Sequence, residues 1–148
     1  MCNITINRIV LVKDKTTRYS FDRDCSTPKK AVDVFNTVFG LEDSPQEILC
    51  ALYLNTKNQI VGIQELTRGT VDRSLATAAE IYKAALLHNA SGVILAHNHP
   101  SGDPEPSRED ITVTQRVAEA GRILEIPLLD HVVIGDGNYV SLNERGYI

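Results

Sequence analysis

The run SGVILAH, residues 91–97, limits the possible folds more than any other stretch of the chain. It is short, apolar and bounded by Gly92, and so reads as a buried strand. A strand buried on both faces needs helices above and below its sheet. The flanking patterns supply the parts. EILCALYL (47–54) is a nearly continuous apolar run, as expected of a second central strand. A turn at Asn55–Asn58 and a returning strand, QIVGIQELTR (59–68), make a hairpin with it. LLDHVVIG (128–135), an Asp136-Gly137 turn and NYVSL make another.

Three helices fall between. Thr27-Pro28 reads as an N-cap with proline in the first turn, and Ala31, Val34, Phe35 and Val38 give one face, closed by Gly40. Thr77 with Glu80 forms a possible capping box, followed by Ile81, Ala84, Ala85 and His88 at helical spacing, ending near Asn89. Ser107 opens the last helix, with Val113, Val117, Ala120 and Leu124 on one face and Pro127 beyond its end. Residues 4–21, INRIVLVKD followed by TTRYSF, read as an N-terminal hairpin. The expected fold is therefore α/β, one mixed β-sheet flanked by helices, in a single domain over 1–148. Residues 1–44 form a hairpin-and-helix extension, and 45–148 form the core.

Composition narrows the function. A chain of 148 residues can bury a sizeable core, and 43% hydrophobic content is globular rather than disordered. No apolar run is long enough to span a bilayer, and MCNITINRIVLVKD does not read as a signal peptide, so a cytoplasmic location is expected. Cys2, Cys25 and Cys50 lie far apart and read as ordinary thiols. The net charge is −4, and Lys29-Lys30 is the only basic doublet, which disfavours duplex DNA as a partner.

The chemistry concentrates in HNHPSGDPEPSRED (97–110). His97 and His99 leave a strand end two residues apart, so both face the same way, and Asn98 faces the other. Asp110, three residues after Ser107, fits a capping box. It also leans back toward the helix start, where a stiff loop carrying Pro100, Gly102, Pro104 and Pro106 can bring it to both histidines. Two imidazoles and a carboxylate leave one position open for water, the pattern of a catalytic rather than a structural zinc site.

Such a site needs a base that is not a ligand. Glu65 and Glu80 are the candidates. Glu65 is preferred, because a carboxylate amid the apolar residues of QIVGIQEL needs a reason, whereas capping accounts for Glu80. Arg68 and Asn98 are close enough in sequence to touch a substrate, although Asn98 reads first as a structural group. His131 reads first as a satisfied, partly buried histidine, and otherwise as an outer partner of a metal ligand. His88 reads as a partner of a helix C-terminus. The contiguous His97-Asn98-His99 is not the dispersed motif of HNH nucleases. The Pro-Cys-x-x-Cys of zinc deaminases and the His-Glu-x-x-His of other zinc proteases are both absent.

His97-x-His99, Ser107 and Asp110 at these offsets resemble the JAMM motif of MPN+ metalloproteases. HNHPSGDPEPSRED, with ELTRGT (65–70) before it and LLDHVVIG after it, resembles the RadC family. The resemblance covers roughly residues 45–148. It implies an MPN/JAMM domain related to cytidine deaminases, with zinc held by His97, His99 and Asp110, Glu65 as general base and Ser107 stabilising the oxyanion. RadC proteins commonly carry a DNA-binding helix-hairpin-helix segment, and residues 1–44 do not match one. The expected activity is zinc-dependent hydrolysis of peptide or isopeptide bonds in a peptide or protein substrate. The alternatives are a DNA-repair-associated binding module and a metal-dependent nuclease. An exposed edge of the N-terminal hairpin would permit dimerisation.

Overall fold

The computed structural model describes residues 1–69 and 77–148. Its elements run α1 (Pro28–Phe39), β1 (Ile48–Leu54), β2 (Ile60–Arg68), α2 (Ala78–Leu87), β3 (Gly92–Asn98), α3 (Arg108–Leu124), β4 (Leu128–Ile134) and β5 (Tyr139–Ser141). The strands form one mixed sheet in the order β2-β1-β3-β4-β5. β3 and β4 are parallel, with α3 as the crossover, and the other neighbours are antiparallel.

The alternation of side chains along each strand divides the core into two layers. Ile48, Cys50, Leu52 and Leu54 of β1, with Ile94 and Ala96 of β3, pack beneath Ala31, Val34 and Phe35 of α1. Ala51, Tyr53, Val93 and Leu95 face the other way, against Ile81 and Ala85 of α2 and Val117 of α3. The sheet is thus covered on both sides, as the apolar strands require.

Local signals set the helix ends. Thr27 caps α1 by accepting from the Lys30 amide, and Gly40 ends it at φ 62°, a left-handed conformation that glycine adopts without strain. Thr77 caps α2 through the Glu80 amide. Ser107 and Asp110 form a reciprocal capping box at the start of α3. Among the described residues, no helix is long and apolar enough to cross a membrane.

Three expectations need correction or restriction. The hairpin over 4–21 is not formed: residues 1–20 contain no strand, and Ile4, Ile6, Ile9 and Val12 are exposed. A two-stranded ribbon without a packing surface is marginal in water. The first extended pairing comes only at Asp24, bridged to Gln59 just before β2. On α3, Val117 is buried, but Leu124 is exposed at the C-terminal end. Thr70, the last residue of the ELTRGT motif, lies outside the described residues.

Candidate metal centre

β3 delivers the first histidine. Leu95 and His97 share a face, so the His97 ring enters the layer beneath α2 and α3, where it is buried. His99 lies just past the strand end. Its amide donates to the Ile134 carbonyl at 2.9 Å, so its backbone continues the run of β3 beside β4. The chain then turns sharply. The Gly102 amide donates to the His99 carbonyl, and Gly102 adopts φ 86°. The Asp136 amide donates to the Gly102 carbonyl, tying the loop to the β4–β5 turn.

The loop orients His99 directly. Its Nδ1 lies 2.9 Å from the Asp103 carbonyl oxygen. A carbonyl only accepts, so Nδ1 carries a proton, and the neutral ring would offer Nε2 to an ion. The acidic side chains of the loop, Asp103 and Glu105, are exposed, as is Glu109.

Asp110 closes the group from the first turn of α3. One of its oxygens, Oδ2, accepts from the Ser107 amide at 2.7 Å, and the Ser107 hydroxyl oxygen accepts from the Asp110 amide at 3.1 Å. The same carboxylate faces both rings: Oδ1 is 3.3 Å from His97 Nε2, and Oδ2 is 3.4 Å from His99 Nε2. The two Nε2 atoms are 3.0 Å apart. Burial alone would raise the Asp110 pKa, but the two imidazoles outweigh it and hold the carboxyl far below the ordinary carboxylate range. The bond to Asp110, opposed by burial, raises the pKa of His99.

A fourth side chain joins them. Ligand atoms of Glu47, His97, His99 and Asp110 all lie within 4.8 Å of one another. Glu47 immediately precedes β1 and is half-buried. β1 runs antiparallel to β3 with Leu49 opposite His97, which brings Glu47 beside His99. Asn98 holds this approach. Pointing to the opposite face, it accepts from the Ile48 amide at 2.7 Å and donates to the carbonyls of Gln46 and Ser44 at 2.9 and 3.3 Å. Asn98 is thus structural, and the segment it clamps is the one that carries Glu47.

The two carboxylates singled out in the sequence lie elsewhere. Glu65 is the cross-strand partner of Cys50, whose side chain belongs to the α1 layer. Directly opposed residues share a face, so Glu65 points away from His97. It makes a two-pronged ion pair with Arg68, at 2.8 Å to both Nε and Nη2. Glu80 is exposed and pairs with Lys83. His131 stands in the buried layer behind His97, its Nε2 2.8 Å from His97 Nδ1. His88 receives no such role: its Nδ1 meets the Ala84 carbonyl and its ring stacks on Tyr53.

The donor set fits a divalent transition metal. Zinc in tetrahedral geometry, at about 2.0–2.2 Å from nitrogen and oxygen, holds its ligand atoms roughly 3.3–3.4 Å apart. The spacings among His97, His99 and Asp110 run from 3.0 to 3.4 Å. Two imidazoles converging with carboxylates suit a transition metal better than magnesium or calcium, which favour all-oxygen shells.

Residues 25–147 match the family described as RadC-like JAB domain. The chain is similar to the UPF0758 protein of Methanococcoides burtonii, at 48% identity over 126 residues, 82% of this chain and 55% of that protein. It is 52% identical to the UPF0758 protein GWCH70_2550 of Geobacillus sp. over 103 residues, 70% of this chain and 46% of that one. With the UPF0758 protein of Clostridium beijerinckii it shares 44% identity over 128 residues, 86% and 55% of the two chains. The chain spans about half the length of the curated relatives it matches.

Proposed function

The chain belongs to the RadC-like JAB domain family, and from that premise we propose that it is a zinc-dependent hydrolase of amide bonds in a peptide or protein substrate. The observation that carries the proposal is the convergence of Glu47, His97, His99 and Asp110, from separate elements, within 4.8 Å. His97, His99 and Asp110 would hold the ion, which when bound polarises a carbonyl and makes water acidic enough to attack near neutral pH.

The protein's own groups do the rest. Glu47, rather than Glu65, takes a proton from the attacking water as its oxygen bonds to the carbonyl carbon. The carbon–nitrogen bond then breaks, and Glu47 returns the proton to the departing amine. Ser107 stands beside Asp110, and its cap engages an oxygen lone pair. In this reading its hydroxyl proton is donated to the oxyanion, a contribution of about 10²–10³-fold in rate. The buried thiols Cys25 and Cys50, both free, suit a reducing cytoplasm.

The test pairs metal analysis with turnover on a panel of peptides and isopeptide-linked conjugates. The native chain should hold one zinc and cleave a member of the panel. Glu47→Gln should keep the zinc and lose about 10²–10⁴-fold in rate. Zinc-dependent nicking of DNA without amide cleavage would replace the proposal with a nuclease. Native-like turnover by Glu47→Gln would remove Glu47 as the base.

A further inference from the structure

Behind His97 lies a chain of buried groups that the proposed reaction does not use. His97 Nδ1 is 2.8 Å from His131 Nε2. On the far side of the ring, His131 Nδ1 is 2.6 Å from the Thr114 hydroxyl. The same hydroxyl is 2.6 Å from the backbone carbonyl oxygen of Asp110, one turn earlier on α3. Thr114 and His131 are buried, and these contacts are direct. The His131 backbone is itself pinned. Its amide donates to Asp130, whose carboxylate also accepts from the Ser141 hydroxyl and the Asn143 amide.

We infer that Thr114 and His131 are positioning residues that fix which nitrogen of His97 carries the proton, so that Nε2 is offered to the metal as a bare lone pair. The inference rests on reading His97 as a metal ligand. The direction of the chain follows from one group that cannot reverse. The Asp110 carbonyl only accepts, so the Thr114 proton points to it. The hydroxyl oxygen then accepts from His131, so Nδ1 carries a proton, and in the neutral form of the ring it carries the only one. His131 Nε2 is left as an acceptor and takes the proton of His97 Nδ1. His97 Nε2, on the site side, is therefore unprotonated. The reverse polarity would set two oxygens 2.6 Å apart with no proton between them. It would also place an N–H on His97 facing the ion.

The two histidine ligands thus reach the same tautomer by different means. His99 donates to a loop carbonyl, and His97 donates to a second imidazole. Ligand histidines usually donate to a carboxylate, a carbonyl or water. Here the partner is an imidazole whose polarity is set two hydrogen bonds away, in α3.

The tautomers can be read directly from ring-nitrogen NMR of the metal-free chain, at a pH well above the ordinary imidazole value of about 6.5. Protonated Nδ1 and bare Nε2 on both His97 and His131 are expected. The opposite tautomer on either ring, or a doubly protonated His131, would overturn the inference. As a second arm, Thr114→Val keeps the shape and removes the hydroxyl, whereas Thr114→Ser keeps the hydroxyl. Zinc affinity, measured against a competing chelator, should fall about 10–100-fold in Thr114→Val and recover in Thr114→Ser. If Thr114 only packs, Val will be tolerated at least as well as Ser, and the inference fails. If the tautomers are as expected but the native chain binds no zinc, the ligand reading fails and the relay remains.

Discussion

Replacing Asn98 with alanine removes the clamp that brings Glu47 to the site. Three hydrogen bonds go with it. They are not equal. Ile48 is 0% exposed, and its amide would be left without its 2.7 Å acceptor. Such an orphan costs about 1–3 kcal/mol. The carbonyls of Ser44 and Gln46 lie in a loop with access to water, so each lost bond costs only about 0.5–1.5 kcal/mol. The destabilisation should therefore be about 2–6 kcal/mol, and for a chain of this size it should lower the melting temperature by roughly 4–24 °C. Asn98→Asp should be no better. It keeps the acceptor for Ile48 but sets a buried carboxylate against two carbonyl oxygens. The functional effect should be selective, because His97, His99 and Asp110 are held by β3, the Pro-rich loop and α3. Zinc affinity should stay within a few-fold of native while hydrolysis drops, because the displaced group is the proposed base. Thermal melts and chelator competition on the purified variants measure both effects. A melting temperature within about a degree of native, or a loss of zinc affinity as large as the loss of rate, would refute this account of the clamp.

Other perturbations separate the remaining roles. Glu65→Gln breaks the half-exposed pair with Arg68, so it should cost less than about 1 kcal/mol and leave zinc binding unchanged, as a urea melt with metal titration will show. Ser107→Ala removes the N-cap of α3 and should destabilise the chain by about 1 kcal/mol, with a loss in rate beyond what that shift explains. Burial raises the Cys25 and Tyr82 pKa values to about 12, and pushes those of Cys50 and Tyr53 up as well. These groups favour their neutral forms in the fold, so their stabilising contribution is complete below the ordinary thiol value of 9.0 and is lost as pH climbs toward 12. The urea midpoint should fall steadily above about pH 9, and a flat profile would contradict it. In the folded chain a thiol reagent should modify Cys2 alone, and all three cysteines should react after unfolding.

What could be read before folding was whatever local physics decides. Thr27-Pro28, Thr77 and Ser107 cap helices because the caps depend on residues within one turn. His97 and His99 face alike because strands alternate, and Asp110 reaches them because a first-turn side chain leans backward. Glu47 was hidden for a different reason. It stands at the head of EILCALYL, but nothing local reveals that this strand lies beside SGVILAH in antiparallel sense. The premise behind Glu65 was sound, since a carboxylate among apolar neighbours does need a reason. The reason is Arg68, three residues on, and alternation sends the pair to the α1 side. The N-terminal segment has a strand-like alternation and no surface to bury it against.

Asn98 and its two histidine neighbours make β3 an all-or-none element. A slip of one residue against β1 would turn His97 into the layer packed on α1 and bring Asn98 to the metal side, away from the backbone groups it clamps. Both errors would come together, since one displacement causes both. A misaligned chain would therefore lose both the convergence of the histidines with Asp110 and the approach of Glu47. In the proposed reading, metal binding would report strand alignment, because the ligands converge only when the central strands are correctly paired.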